Sequence, residues 1–256
     1  LKSIYNEYMI NTLFNRNALY IPQDKQLSIS NYKVCFAGCG IGSNISECAL
    51  RLGFLNQTLI DGDRVDLTNL NRQNYTLDDI NQFKSSSLYH RLLSINSRAD
   101  IKVENTFLNS KNLSQLVSGH DLAINALDFQ SDIPFLFDEF CQKNFIPIIH
   151  PYNIGWATLV FVIHPSGLGL SHISPSHIDF EKKVAAFLID NIDYKSKQWL
   201  QDILYQYEYL DKKQSPPQLA IGSWLAAGVC TDVMYKIANN LEVKYFPEFY
   251  FVTSHK

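Results

Sequence analysis

Apolar residues along this chain fall into short continuous runs separated by longer stretches with helical spacing. Residues 33–37, 57–60, 101–105, 122–126 and 146–149 have the length and content of strands, several of them apolar throughout. Between them, residues 43–52, 81–94 and 133–143 read as helices; Gly53 suits the C-terminal cap of the first, and Asp132 precedes the third. Strands that alternate with helices need crossover connections, which implies a parallel sheet. Residues 158–163 are strongly β-forming and come soon after the preceding strand, so part of the sheet is expected to turn antiparallel. The expected fold class is therefore α/β, with a doubly wound, mostly parallel sheet and an antiparallel extension.

The ends and the late middle of the chain read differently. Residues 3–20 carry apolar positions at Ile4, Tyr8, Leu13 and Phe14, which predicts a helix that Pro22 ends. Residues 220–239 predict an apolar helix and residues 245–253 a closing strand. Residues 166–217 change character, with loops at Pro165-Ser166-Gly167 and Ser174-Pro175-Ser176. A helical stretch over 180–209 is rich in Tyr, Asp and Lys, and 212–217 breaks again. With no repeat and no Gly/Ser linker, the pattern predicts one domain over 1–256, with 166–217 as a helical crossover insertion.

Composition narrows the function classes. A formal net charge of −3 offers no general attraction for phosphate backbones, so nucleic-acid binding is not expected. No apolar run reaches the roughly 20 residues needed to cross a bilayer, so no membrane partner is expected. The mixture of Lys, Asn and Glu with apolar residues before Asn17 is not a signal peptide, and a chain opening on Leu is expected to continue upstream. Five scattered cysteines without a C-x-x-C pair make a poor disulfide framework and a poor zinc site, which suits a reducing cytoplasm.

Two constellations carry candidate chemistry. In the first, Gly38-Cys39-Gly40-Ile41-Gly42-Ser43 comes directly after a strand and opens a helix. Small residues there let the backbone approach a nucleotide, and the helix N-terminus presents amides to phosphate. Asp61 lies about 20 residues further on, where an acid commonly holds ribose hydroxyls. A tight structural turn would give the same letters. In the second, Asp61, Asp63, Arg64, Asp66, Asn69, Arg72 and Gln73 crowd the segment after a buried strand. Ligands bind at that edge of such sheets, although a solvated loop would also be polar.

Asn69-Leu70-Asn71-Arg72-Gln73 resembles the "NLxRQ" signature of the ThiF/MoeB and ubiquitin-activating-enzyme superfamily, and Asp61-Gly62-Asp63 resembles its "DxD". Ile80-Asn81-Gln82-Phe83-Lys84 is similar to the family's "vGxxKa", and Ala126-Leu127-Asp128 to its strand-ending acid. Leu13-Phe14-Asn15-Arg16-Asn17 is loosely similar to the helix that donates an arginine across the subunit boundary. The resemblance implies a Rossmann-like fold and an ATP-dependent adenylyltransferase. Its substrate would be the C-terminal carboxylate of a small ubiquitin-like protein or peptide, and the enzyme would be a homodimer. Arg72, Lys84 and a trans Arg16 would stabilise charge on the phosphates, and Asp128 would hold Mg²⁺. Gly38, Gly40, Gly42, Ser43, Asp61, Asp63, Asn69 and Gln73 would join Arg72 and Lys84 in binding ATP.

The sequence also departs from the family. Ala37 and Cys39 stand at glycine positions, Asn81 at another, and Phe129 where asparagine commonly succeeds the metal-binding acid. Residues 151–217 contain no cysteine, so a thioester on the crossover segment is unavailable. His150, His164, His172 and His177 are close in sequence but lack a ligand spacing, and read as loop and strand-end residues. Two alternatives stay open: a nicotinamide-dependent oxidoreductase, and a non-catalytic partner subunit of an activating complex.

Overall fold

The computed structural model of the chain describes residues 12–208, 216–253 and 255. The helices are α1 (Gln23–Asn31), α2 (Ile41–Leu52), α3 (Lys84–Ile95), α4 (Leu113–Val117), α5 (Ile133–Lys143), α6 (Phe180–Asn191), α7 (Tyr194–Glu208) and α8 (Ala220–Ala238). The strands are β1 (Lys33–Ala37), β2 (Asn56–Ile60), β3 (Asp100–Glu104), β4 (Leu122–Asn125), β5 (Ile148–Ile154), β6 (Ala157–Ile163) and β7 (Tyr250–Thr253). They form one sheet in the order β3-β2-β1-β4-β5-β6-β7. Pairing is parallel from β3 through β5 and antiparallel from β5 to β7.

This is the doubly wound, mostly parallel sheet with an antiparallel extension that the apolar runs predict. The runs are continuous because both faces of the sheet are covered. Val34 and Phe36 of β1 pack with α1, α2, α3 and α8 on one face. Cys35 and Ala37 pack with α4, α5, α6 and α7 on the other. From β1 the chain winds outward to β2 and β3, then returns to β4 on the other side of β1. Strand order reverses there, and the loops leaving β1 and β4 diverge to open a crevice at the carboxyl edge. Among the described residues, no helix is long and apolar enough to cross a membrane.

Several boundaries move for identifiable reasons. Of the helix expected over 3–20, residues 3–11 lie outside the described residues. The remainder is largely a 3-10 turn at Asn15–Asn17, ended where Ala18 turns extended (φ −53°, ψ 146°) and Leu19 takes φ +75°; the Asn17 side-chain amide ties the turn to Gln26 Oε1 and the Leu52 carbonyl. Pro22 does not only stop structure; it caps α1, an element the sequence pattern conceals. The helix expected from residue 81 begins at Lys84, since Asn81 has φ +67°, which no helix allows. The helix expected over 180–209 divides between Asn191 and Tyr194, and residue 209 lies outside the described residues. The closing strand shortens to Tyr250–Thr253, while β5 runs on to Ile154 to make a hairpin with β6.

Candidate active site

The crevice floor is the turn after β1. Gly38 has φ +92°, and a Cβ there would stand 2.4 Å from the Ala126 carbonyl oxygen, so only glycine lets the two strand ends approach. Gly38 N–H donates to Ile60 O and Ala126 N–H to Ala37 O, which stitches the turn to β2 and β4. At Gly40, the N-cap of α2, a Cβ would come within 3.3 Å of Gln73 Nε2. Gly42 would meet only ordinary contact, 3.9 Å to the Ala126 side chain. Ser43 is fully buried; its hydroxyl donates to Gly40 O at 2.7 Å and accepts from Asn74 N–H at 3.0 Å. It therefore holds the turn from behind. Ala37 and Cys39 are also fully buried, in opposite cores, so their Cβ atoms point into protein and not into the mouth of the crevice.

The turn after β2 supplies the acids. Asp61 accepts from Cys39 N–H and from Asp63 N–H, both at 2.7 Å, so each carboxylate oxygen already holds a backbone amide. Burial raises its pKa, against the pull of Lys84 and those two amides. Asp63 is solvent-exposed, and Lys84 Nζ lies 3.1 Å from its Oδ2. Lys84 is nearly buried as the first residue of α3. A cation at a helix N-terminus opposes the helix dipole, the kind of broken local rule expected at a functional site.

Arg72 and Asp128 complete the rim. Arg72 donates to Gln218 Oε1 at 2.6 Å, to Thr68 O at 2.8 Å and to Asn71 Oδ1 at 2.8 Å. Partial burial lowers its pKa, and Asp128 opposes the change. At Asp128, desolvation raises the carboxyl pKa, Lys84 and Arg72 lower it, and Asp63 raises it. Asp63 and Arg72 from the β2–α3 connection, Lys84 from the start of α3 and Asp128 from beyond β4 therefore share one electrostatic field. Gln73 sits against Gly40 with its Oε1 buried and without a hydrogen-bond partner. Asn69 is committed locally, since its Oδ1 caps the Asp66 N–H at 3.0 Å.

Arg16 is not brought to this crevice. It is exposed in the turn that Asn17 ties to Leu52, at the far end of α2 from the glycines. Twelve helical residues put about 18 Å between those ends.

Other residues of the site carry no local sequence signal. Gln218 reaches Arg72 from the residues preceding α8. Glu181, on the first turn of α6, has its pKa raised by burial and by Asp128, while its own N–H and that of Phe129 lower it. The ring cluster of Phe129, Phe135 and Phe180 holds α6 against the strand end, with Phe129 and Phe180 stacked at 4.2 Å. Tyr75 donates its hydroxyl to Cys39 O at 2.6 Å and fixes the glycine turn from the core. His150 is not a loop histidine: it is buried in β5 and bonds the equally buried Asp138, which also accepts from Asn125 at the end of β4. His177 bonds Asp132 at 2.5 Å.

The donor set bears on which groups could bind. Burial pushes the Cys35 thiol up to about 12 and the Cys39, Cys141 and Cys230 thiols up as well, which makes them inert packing. Among the described residues, no group of three or more His, Cys, Asp or Glu side chains could hold a metal ion alone. Mg²⁺ commonly takes one or two carboxylates and completes its shell with substrate phosphates and water. Asp128, with Asp63 in its field, fits a magnesium that arrives with a nucleotide. The glycine cradle and the orphaned Gln73 oxygen fit the nucleotide itself.

Comparison with known proteins gives the same direction. The ThiF family model matches residues 14–254. The tRNA threonylcarbamoyladenosine dehydratase of Bacillus subtilis (strain 168) is 30% identical over 174 residues, 67% of this chain and 66% of that protein. The sulfur carrier protein ThiS adenylyltransferase of the same organism is 25% identical over 165 residues, 62% of this chain and 49% of that protein. The chain thus matches between half and two-thirds of the length of these relatives. Among solved structures, E. coli MccB with AMPCPP and MccA superposes with a TM-score of 0.68 at 18% identity, covering 95% of this chain and 71% of that one. At that identity the likeness speaks for the fold alone.

Proposed function

Since this chain belongs to the ThiF family, we propose that it activates a carboxylate as the acyl adenylate, using ATP. A carboxylate oxygen attacks the α-phosphorus, the bond to the bridging oxygen breaks, and pyrophosphate leaves. The observation that carries this reading is the pairing of Lys84 with Asp63 at 3.1 Å beside the glycine turn, with Arg72 from the same β2–α3 segment and Asp128 from beyond β4 acting on one another.

Negative charge gathers on the phosphate oxygens as the reaction proceeds, so cations fixed beside them lower the barrier. Lys84 and Arg72 supply that charge and are held by protein partners beforehand, so little reorganisation is needed. Gly38 and Gly40 let the phosphates approach the α2 N-terminus. With both oxygens of Asp61 committed to backbone amides, the exposed Asp63 is the better ribose partner, and Asp61 acts by fixing the turn. Asp128 would hold Mg²⁺, which supplies charge neutralisation when bound. No protein nucleophile is required.

The substrate is a small ubiquitin-like protein or a peptide with a free C-terminal carboxylate, and the acceptor is a group other than a cysteine of this chain's crossover segment. Arg16, too far from its own crevice, acts in the second subunit of a homodimer. A carboxylate carried on a tRNA nucleoside is a second reading, motivated by the dehydratase relative, since activating a carboxyl is one route to net loss of water. An oxidoreductase reading leaves Lys84, Arg72 and Asp128 without a task.

Incubation with ATP and candidate carboxylates tests these readings. Release of pyrophosphate dependent on a peptide or small protein, with AMP retained on its carboxyl, supports the first. Dependence on tRNA selects the second, and tight NAD binding without ATP turnover contradicts both.

A further inference from the structure

The backbone ladder between β4 and β5 is short. It pairs Ala123 with Ile148 and Ile124 with Ile149, and β5 then runs on beside β6. One residue beyond the last pair, side chains take over the connection. Asp138 of α5 accepts from Asn125 Nδ2 at 2.8 Å. It also accepts from His150 Nε2, which lies 3.0 Å from Oδ1 and 2.9 Å from Oδ2. All three residues are buried, on the side of the sheet that Phe137 and Cys141 cover. Well-packed apolar side chains in place of such a buried bridge commonly fold as well, so stability alone does not account for it.

The bridge ends at the loop that bears Asp128. Asn125 Nδ2 donates to Pro134 O at 3.0 Å, and Asn125 Oδ1 accepts from Leu127 N–H at 3.4 Å. One side chain thus joins the last residue of β4 to the first turn of α5 and closes the loop 126–132 at both ends. Asp128 lies within that loop, three residues beyond Asn125.

We infer that Asp138 is a positioning residue: tied to His150, it fixes Asn125 and with it the loop that presents Asp128 to magnesium. The inference rests on the proposed use of ATP and Mg²⁺, and adds a support that touches neither. Removing a partner that orients a metal ligand commonly costs about 10- to 100-fold in metal affinity. Asp138→Asn keeps the bridge, because its amide oxygen accepts from Asn125 and its amide nitrogen donates to the other tautomer of His150. Asp138→Leu has neither group. Combining it with His150→Phe avoids an unpaired ring nitrogen in the core.

Calorimetric titration of the full chain with ATP, in excess Mg²⁺ and again in EDTA, measures how far magnesium strengthens nucleotide binding. Asp138→Asn should match the unaltered chain. The double variant Asp138→Leu with His150→Phe should lose at least about tenfold of the strengthening, with ATP affinity in EDTA and the thermal midpoint kept. Asn125→Ala, which leaves the Asp138–His150 pair in place, should show the same loss and decides the matter if the double variant does not fold. Full strengthening in either folded variant overturns the positioning role and leaves the activity intact. So does an equal loss with and without magnesium, which would mean a distorted crevice, or a loss in Asp138→Asn as large as in the double variant. An unaltered chain that binds ATP equally well in both conditions overturns the inference and the metal role of Asp128. One that binds no ATP overturns the activity as well.

Discussion

Lys84 Nζ lies 3.1 Å from the Asp63 carboxylate, a nearly buried cation paired with a half-exposed anion across the mouth of the crevice. Such a pair contributes at most about 1 kcal/mol to stability, because water screens the exposed partner. Its interest is electrostatic: one end of the pair is available to phosphate and the other to ribose. Lys84→Met is expected to lower the adenylation rate at least about 100-fold while the thermal midpoint moves by no more than about 3 °C. Pyrophosphate exchange and scanning calorimetry together check this; a normal rate would remove Lys84 from the chemistry.

Asp61 and Asp63 should separate cleanly. Asp61→Asn sets an amide nitrogen against a backbone N–H and leaves a desolvated donor unpaired, at a cost of about 1–3 kcal/mol. Asp63→Asn changes an exposed side chain and should alter stability by less than about 0.5 kcal/mol, yet weaken ATP binding about tenfold. Urea denaturation and ATP titration of both variants give the comparison. Equal stability losses would show that the two acids do not divide the work.

The glycines differ in the same testable way. Gly38→Ala combines a positive φ with a Cβ 2.4 Å from a backbone oxygen, which predicts a loss of about 3 kcal/mol or more. Gly40→Ala meets only the end of the flexible Gln73 side chain at 3.3 Å and should fold normally. Its effect should fall on ATP affinity. Denaturation midpoints for the two proteins decide the matter.

Glu47 is a buried carboxylate on α2 that accepts from Arg51, Arg91 and Asn74. Burial alone would raise its pKa, but the hydrogen bonds from Arg91, Arg51 and Asn74 outweigh it and the net shift is downward. A depressed folded-state pKa stabilises the protein above the ordinary glutamate range, and that contribution is lost as pH falls through the folded value. Glu47→Gln should therefore cost about 2 kcal/mol at pH 7, with the difference shrinking below about pH 4. Urea midpoints between pH 3 and 7 measure it, and a constant difference would mean that the charge is irrelevant.

Legibility in the sequence depends on locality. The parallel strands are readable because burial on both faces leaves uninterrupted apolar runs, as in β1 and β4. The start of α3 is not, because Asn81 takes a left-handed turn that its letters do not announce. Helix α1 hides because Gln26 and Ser30 are buried polar residues that break its apolar stripe. At the site, Asp61, Asp63, Arg72, Lys84 and Asp128 stand in motifs. Gln218 and Glu181 are delivered by packing of distant helices, and no spacing reveals that.

The most direct test of the central claim is carboxylate-dependent exchange of labelled pyrophosphate into ATP, comparing the unaltered chain with Arg72→Ala and Asp128→Ala. Exchange that requires the carboxylate substrate and falls at least about 100-fold in both variants is the expected result. Exchange that persists at the original rate in either variant, with the substrate present, would contradict a shared triphosphate site built from these residues.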